Sequence, residues 1–264
     1  MTEKKVLIQG IEVNYKVFGE PTPLTATQIV QRKPVLVLHG WPSSSNKWEQ
    51  VADLLDKKHI MMIVPDLPGF GQTPEPKTPW NINNYVEFIN EFSSTVVDLQ
   101  KGFYLLGHSF GGAVAVKFAV KYNQKVEKLF LVSAAAVRKK TLVKKVIYKT
   151  SKIGKLFSWL PGYQLFRKAF YKFILKKSDY LYQKGVMRES YLKVISDDLS
   201  FYVSSLKVPT IIIWGDKDVS TSVEEARLIH EKIFHSKLIV IPGAGHSLEL
   251  EVPETLTQKI VENL

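Results

Sequence analysis

Ser109 stands between two glycines in Gly107-His108-Ser109-Phe110-Gly111. The apolar run Phe103-Tyr104-Leu105-Leu106 precedes it and reads as a buried strand. The small and apolar residues 112–120 follow it and read as a helix. A sharp turn between strand and helix, with serine at its apex, lifts a hydroxyl clear of a sheet. That turn strains the serine backbone and brings strand and helix close together. The positions two before and two after it must therefore be small, as Gly107 and Gly111 are. A serine placed in this way can attack an acyl carbon if a base, an acid and an oxyanion-binding pair accompany it.

The base candidate is His246, in Pro242-Gly243-Ala244-Gly245-His246-Ser247. It follows a strand-like run and lies in a loop of small residues near the C-terminus. Of the six histidines, His59, His230 and His235 lie in charged or helical surroundings and read as solvated. His39 and His108 lie in loops that would shape a site, and each is expected to be fixed by the backbone of its own turn. The acid candidates are Asp216 and Asp218, in Trp214-Gly215-Asp216-Lys217-Asp218-Val219. One would hold the tautomer of His246 and stabilise its protonated form; the other would cap the loop or the next helix. Asp218 is favoured and Asp216 is the alternative. An oxyanion needs two backbone donors. Phe110, directly after the serine, supplies one. Trp41, in the loop after Val35-Leu36-Val37-Leu38, supplies the other. Both rings are also expected to bind substrate.

These residues need a frame that brings them together. Residues 6–8 and 11–15 read as two antiparallel strands turning at Gln9-Gly10. Short continuous apolar runs at 35–38, 60–64, 103–106, 128–132 and 210–214 read as strands covered on both faces. Helical spacing lies between them, around 48–55, over 82–100 and over 222–234. A strand at 237–241 and a helix from about 253 complete the alternation. The pattern predicts an α/β fold with a mostly parallel central sheet and helices on both faces. Ligands of such sheets bind beyond the carboxyl ends of the strands, where His39, Trp41, Asp66, Ser109, Asp218 and His246 all fall.

Composition excludes several classes. With no cysteine there is no disulfide and no thiolate chemistry. No run approaches the roughly 20 apolar residues of a membrane span. The apolar run near Met1 is too short for a signal-peptide core, so the chain is expected to be cytoplasmic. The net charge of +11 is concentrated in one place. Residues 135–205 carry 16 Lys and Arg against 4 Asp and Glu, leaving 20 against 21 elsewhere. This segment also interrupts the strand–helix alternation. It reads as a helical cap inserted between two strands, with 1–134 and 206–264 as the core.

Taken together, these motifs resemble the α/β-hydrolase superfamily, in its lid-containing serine hydrolase branch, over essentially the whole chain. The matching stretches are His39-Gly40-Trp41-Pro42, Asp66-Leu67-Pro68-Gly69-Phe70-Gly71, the serine turn, Trp214-Gly215-Asp216-Lys217-Asp218 and Gly245-His246. The resemblance implies that the acid is Asp218 and that 135–205 covers the site. The 66–71 stretch reads as a structural turn. The related epoxide and haloalkane hydrolases need a carboxylate where this chain has Ser109. The expected activity is hydrolysis of carboxylic esters with small to medium acyl chains, through an acyl-enzyme and with no cofactor or metal. Alternatives are cleavage of the C–C bond of ring-cleavage diketones, or of lipid esters such as lysophospholipids and monoacylglycerols at a membrane surface. A reading from another class is a catalytically silent binding protein.

The cap sequence interleaves lysines such as Lys144, Lys145, Lys152 and Lys155 with Val146, Ile153, Phe157 and Trp159. Amphipathic helices that cover the site and turn their lysines to water explain this pattern. So does peripheral contact with an anionic membrane. No nucleic-acid recognition motif accompanies the charge. The expected partner is a small-molecule ester.

Overall fold

A computed structural model describes residues 1–19, 33–137 and 184–264. Eight strands form one sheet: β1 (Thr2–Ile8), β2 (Ile11–Phe18), β3 (Val35–Leu38), β4 (Met62–Pro65), β5 (Phe103–His108), β6 (Val126–Val132), β7 (Thr210–Gly215) and β8 (Ser236–Ile241). Their order is β1-β2-β4-β3-β5-β6-β7-β8. The pairings β1–β2 and β2–β4 are antiparallel, and every other pairing is parallel. The α/β fold with a mostly parallel sheet is therefore as the sequence predicts.

The α-helices among the described residues are α1 (Glu49–Asp56), α2 (Ile82–Thr95), α3 (Phe110–Lys121), α4 (Gly185–Ser196), α5 (Ser200–Ser204), α6 (Val223–Lys232), α7 (Leu248–Glu251) and α8 (Pro253–Val261), the last two following β8. Strand side chains alternate between the two faces, so each short apolar run feeds two cores. Leu36, Leu38, Leu105, Leu129, Leu131 and Ile212 pack with residues of α2, α3 and α6. Val35, Val37, Leu106, Phe130, Ile211 and Ile213 pack with residues of α1 and α8. Burial on both faces is why these strands show no polar alternation. The expected helix over 82–100 ends at Thr95. Val96 is extended, and a 3₁₀ turn at Val97–Leu99 leads into β5.

Of the expected cap, residues 138–183, with the whole lysine and aromatic run quoted above, lie outside the described residues. Residues 185–204 are mostly helical, in α4 and α5, and dock on the core. The Trp80 amide donates to Ser190 Oγ over 2.9 Å, and Lys193 Nζ donates to the Pro79 carbonyl over 2.9 Å. Lys117, buried on α3, pairs with Asp197 at 2.8 Å. No helix among the described residues is long and apolar enough to cross a membrane.

Packing around the serine turn leaves no room for a side chain at either flanking glycine. A Cβ on Gly111 would stand 2.0 Å from the Leu38 carbonyl oxygen and 2.7 Å from that of His39. One on Gly107 would stand 2.6 Å from Gly112 Cα and 2.7 Å from Ala115 Cβ. These neighbours are mostly backbone, which cannot step aside. Gly111→Ala should therefore cost about 3 kcal/mol or more in urea unfolding. An unchanged midpoint would show that α3 can back away from β3.

Candidate active site

The serine turn forms as the glycines require. Ser109 has φ 51° and ψ −116°, outside the ordinary regions for a residue with a Cβ. Such backbone costs about 1–3 kcal/mol and survives only where its surroundings fix it. Here the Ser109 amide donates to the Val132 carbonyl over 3.1 Å. Its carbonyl accepts from the amides of Gly112, Ala113 and Ala135. The turn is thus tied to the end of β6 on one side and to the start of α3 on the other. Ser109 itself remains partly exposed.

The loop after β3 lies directly against this turn. A Cβ on Gly40 would stand 3.0 Å from His108 Nδ1 and 3.3 Å from Ser109 Cβ. The next residue, Trp41, therefore has its main chain beside the serine. Neither the Trp41 nor the Phe110 amide donates to another described residue. The two rings meet edge to face, with centroids 5.2 Å apart. Phe70, Tyr85 and Tyr191 join them, at 4.7 Å from Trp41, 5.0 Å from Phe110 and 5.5 Å from Trp41 respectively. Tyr191 lies on α4, so the described end of the expected cap reaches this aromatic cluster.

Asp218 and His246 come together from the ends of β7 and β8. His246 Nδ1 lies 2.8 Å from Asp218 Oδ2. A carboxylate only accepts, so Nδ1 carries the proton and Nε2 of the neutral ring is free to accept one. The Asp218 side chain is fully buried, whereas that of His246 is 23% exposed. Burial alone would raise the Asp218 carboxyl. The hydrogen bond and charge of His246 and two hydrogen bonds from Thr221 outweigh it and hold the group below its ordinary value. Asp216 is exposed and accepts from the Gly243 amide over 2.7 Å. It fixes the loop that carries His246, the role expected of whichever aspartate was not the partner.

Sequence reasoning missed Thr221. Its amide donates to Asp218 Oδ1 over 2.9 Å, and its hydroxyl lies 2.9 Å from Asp218 Oδ2 and 3.3 Å from His246 Nδ1. The signal was available, because Asp-Val-Ser-Thr is the pattern of an aspartate that accepts from amides two and three residues on. Glu251 was missed as well. Its carboxylate accepts from the amides of Gly245 and Ser247, on either side of His246.

His39 is bound within its own turn, as expected. Its Nδ1 donates to the Gly40 carbonyl over 2.8 Å, and its Nε2 accepts from the Leu67 amide over 3.0 Å. Acceptance at Nε2 needs a neutral ring, and burial pushes this histidine down to about 4. His108 departs from expectation. Its Nε2 lies 3.0 Å from the carbonyl of His246, so a distant loop holds it rather than its own turn. The reason is the fold itself, which lays the loop after β8 across the end of β5. His59, His230 and His235 are exposed. Asp66 is buried and accepts from Ser45, Gln72 and Asn14, a structural turn as expected. Among the described residues no group of three or more His, Asp or Glu is placed to hold a metal ion.

With this geometry in view, the chain belongs to the family described as alpha/beta hydrolase fold, whose model matches residues 33–252. It is 26% identical to the AB hydrolase superfamily protein YisY of Bacillus subtilis (strain 168), over 92% of this chain and 96% of that one. It is also 26% identical to Lipase 3 of Moraxella sp. (strain TA144), over 82% of this chain and 72% of the relative. A solved structure of a membrane phospholipase A, a bacterial virulence factor, superposes with a TM-score of 0.73. It is 19% identical and covers 99% of this chain and 84% of its own. The protein is a hydrolase of this family.

The depressed Asp218 carboxyl gives a prediction with a fixed sign. A group whose folded value lies below its ordinary 3.8 stabilises the fold fully above that value. The contribution is lost as pH falls through the lower, folded value. Urea unfolding of wild type and Asp218→Asn, compared between about pH 5 and pH 2.5, should show wild type losing stability the more steeply. Parallel curves would contradict the assignment.

Proposed function

We propose that the protein hydrolyses carboxylic esters of small to medium acyl chains through an acyl-enzyme on Ser109. The observation that carries this reading is the 2.8 Å contact of His246 Nδ1 with Asp218, on a loop joined to His108 beside the strained serine. The contact orients the ring with its unprotonated Nε2 available as a base. In this reading the turn presents the Ser109 hydroxyl to a substrate bound beyond the strand ends.

In the proposed reaction the Ser109 oxygen attacks the ester carbonyl carbon as its proton passes to His246 Nε2. The carbonyl oxygen becomes an oxyanion, and the Trp41 and Phe110 amides bind it. Their lack of acceptors among the described residues supports this role. The C–O bond to the alcohol then breaks, and the alcohol leaves with the proton from His246. Water attacks the acyl carbon and gives a proton to His246, and collapse returns that proton to Ser109 as the acid departs. Asp218 stabilises the imidazolium throughout and stays ionised. The cluster of Trp41, Phe70, Phe110 and Tyr191 offers an apolar wall for the acyl chain, with Tyr191 of α4 contributed by the described end of the proposed cap.

Nitrophenyl esters graded by acyl length, run beside a vinylogous ring-cleavage diketone, test the substrate class. Turnover should favour an ester, and Ser109→Ala should lower kcat/KM by about 10⁴-fold or more. A marked preference for the diketone would replace this reading with C–C cleavage. Equal turnover by Ser109→Ala would remove the serine from the chemistry.

A further inference from the structure

Behind His246 lie two buried ionisable groups that this reaction does not use. His108, 4% exposed, follows Gly107 at the end of β5, and Glu249, 1% exposed, lies on α7. Their nearest atoms, His108 Nε2 and Glu249 Oε2, are 3.7 Å apart. That is too long for a hydrogen bond; burial holds His108 down, and the Glu249 charge opposes this only in part. His108 Nε2 donates instead to the His246 carbonyl at 3.0 Å, and the two imidazole rings stand 5.1 Å apart. Glu249 Oε2 has no hydrogen-bond partner among the described residues, and neither has His108 Nδ1. A buried carboxylate oxygen with no partner is costly. Its position therefore calls for an explanation.

The surroundings narrow the choice. His108 faces Gly40 of the loop after β3, the Trp48 indole at 6.1 Å, the His246 loop and Glu249. Asp218 acts on it electrostatically. A 3₁₀ turn at Ser45–Trp48 and α1, both packed on α7, bring Lys47 and Glu49, and Glu49 is already paired with Lys16. The other carboxylate of α7, Glu251, is occupied by the Gly245 and Ser247 amides. Glu249 is thus the carboxylate on this side that faces histidine with an oxygen, Oε2, that has no bonded partner among the described residues.

We infer that His108 and Glu249 are positioning residues: His108 fixes the main chain of His246, and Glu249 places a carboxylate behind it that favours the protonated His246 ring. The inference rests on the proposed role of His246 as base. Asp218 stabilises the imidazolium directly, from the Nδ1 side. Glu249 acts from the backbone side, through the space beside His108, without touching substrate.

The sign follows. A nearby anion favours imidazolium, so its removal makes His246 lose its proton at lower pH. In Glu249→Gln the acid limb of the ester kcat/KM profile should move down by about half a pH unit or more. NMR titration of the His246 ring, which needs no substrate, should move in the same direction. The Glu249→Gln shift should persist in a His108→Gln background, because the field of the carboxylate acts through space. If the glutamine variant does not fold, Glu249→Leu removes the carboxylate without burying an amide, and the same shift is expected. An unchanged midpoint, with the rate lowered equally at every pH, would reduce Glu249 to a structural residue and overturn the inference. If no ester is turned over, the esterase reading fails, while the ring titration still decides the role of Glu249.

Discussion

The structure depends on one close approach, that of α3 to the ends of β3 and β5. Gly111 meets the Leu38 and His39 carbonyls at distances no side chain permits, and Gly107 meets the backbone of α3 in the same way. This contact forces the chain to turn within a single residue after β5. That residue is Ser109, at φ 51°. Moving α3 outward would relax the turn, lower the serine toward the sheet and part Gly40 from Ser109. The strain is offset by burial: Val114, Ala115, Val116 and Phe118 of α3 have no exposed surface.

A second group of contacts holds the loop after β8, which has little packing of its own. Asp216 binds its start through Gly243, and Glu251 binds Gly245 and Ser247. A Cβ on Gly215 would collide with the Ala244 and Gly245 carbonyls, so the end of β7 lies flat against this loop. His108 then joins it to β5. His246 is thereby fixed through its main chain at several points and through its ring by Asp218. Trp214 extends the support, because its indole donates to the Thr221 carbonyl over 2.8 Å and so anchors the turn around Asp218.

Much of this was legible in the residues. Strands buried on both faces announce themselves as continuous apolar runs, and the small residues around Ser109 announce the turn because nothing larger fits. The pairing of Asp218 with His246 followed from chain order and from the family resemblance. What was not legible depends on how distant segments meet. Nothing local distinguishes Glu249 from Glu251, two residues apart in Leu248-Glu249-Leu250-Glu251, yet one is buried against histidine and the other clasps a loop. His108 likewise looked self-contained, because its partner lies 138 residues away. Thr221 could have been found from the spacing of its turn.

The central claim is that the strained turn makes Ser109 the nucleophile and His246 its base. The most direct measurement is mass spectrometry of the folded protein after reaction with a fluorophosphonate. A single adduct on the peptide containing Ser109, formed rapidly by wild type and abolished in His246→Ala, is the predicted result. An unlabelled Ser109, or labelling that persists without His246, would contradict the account.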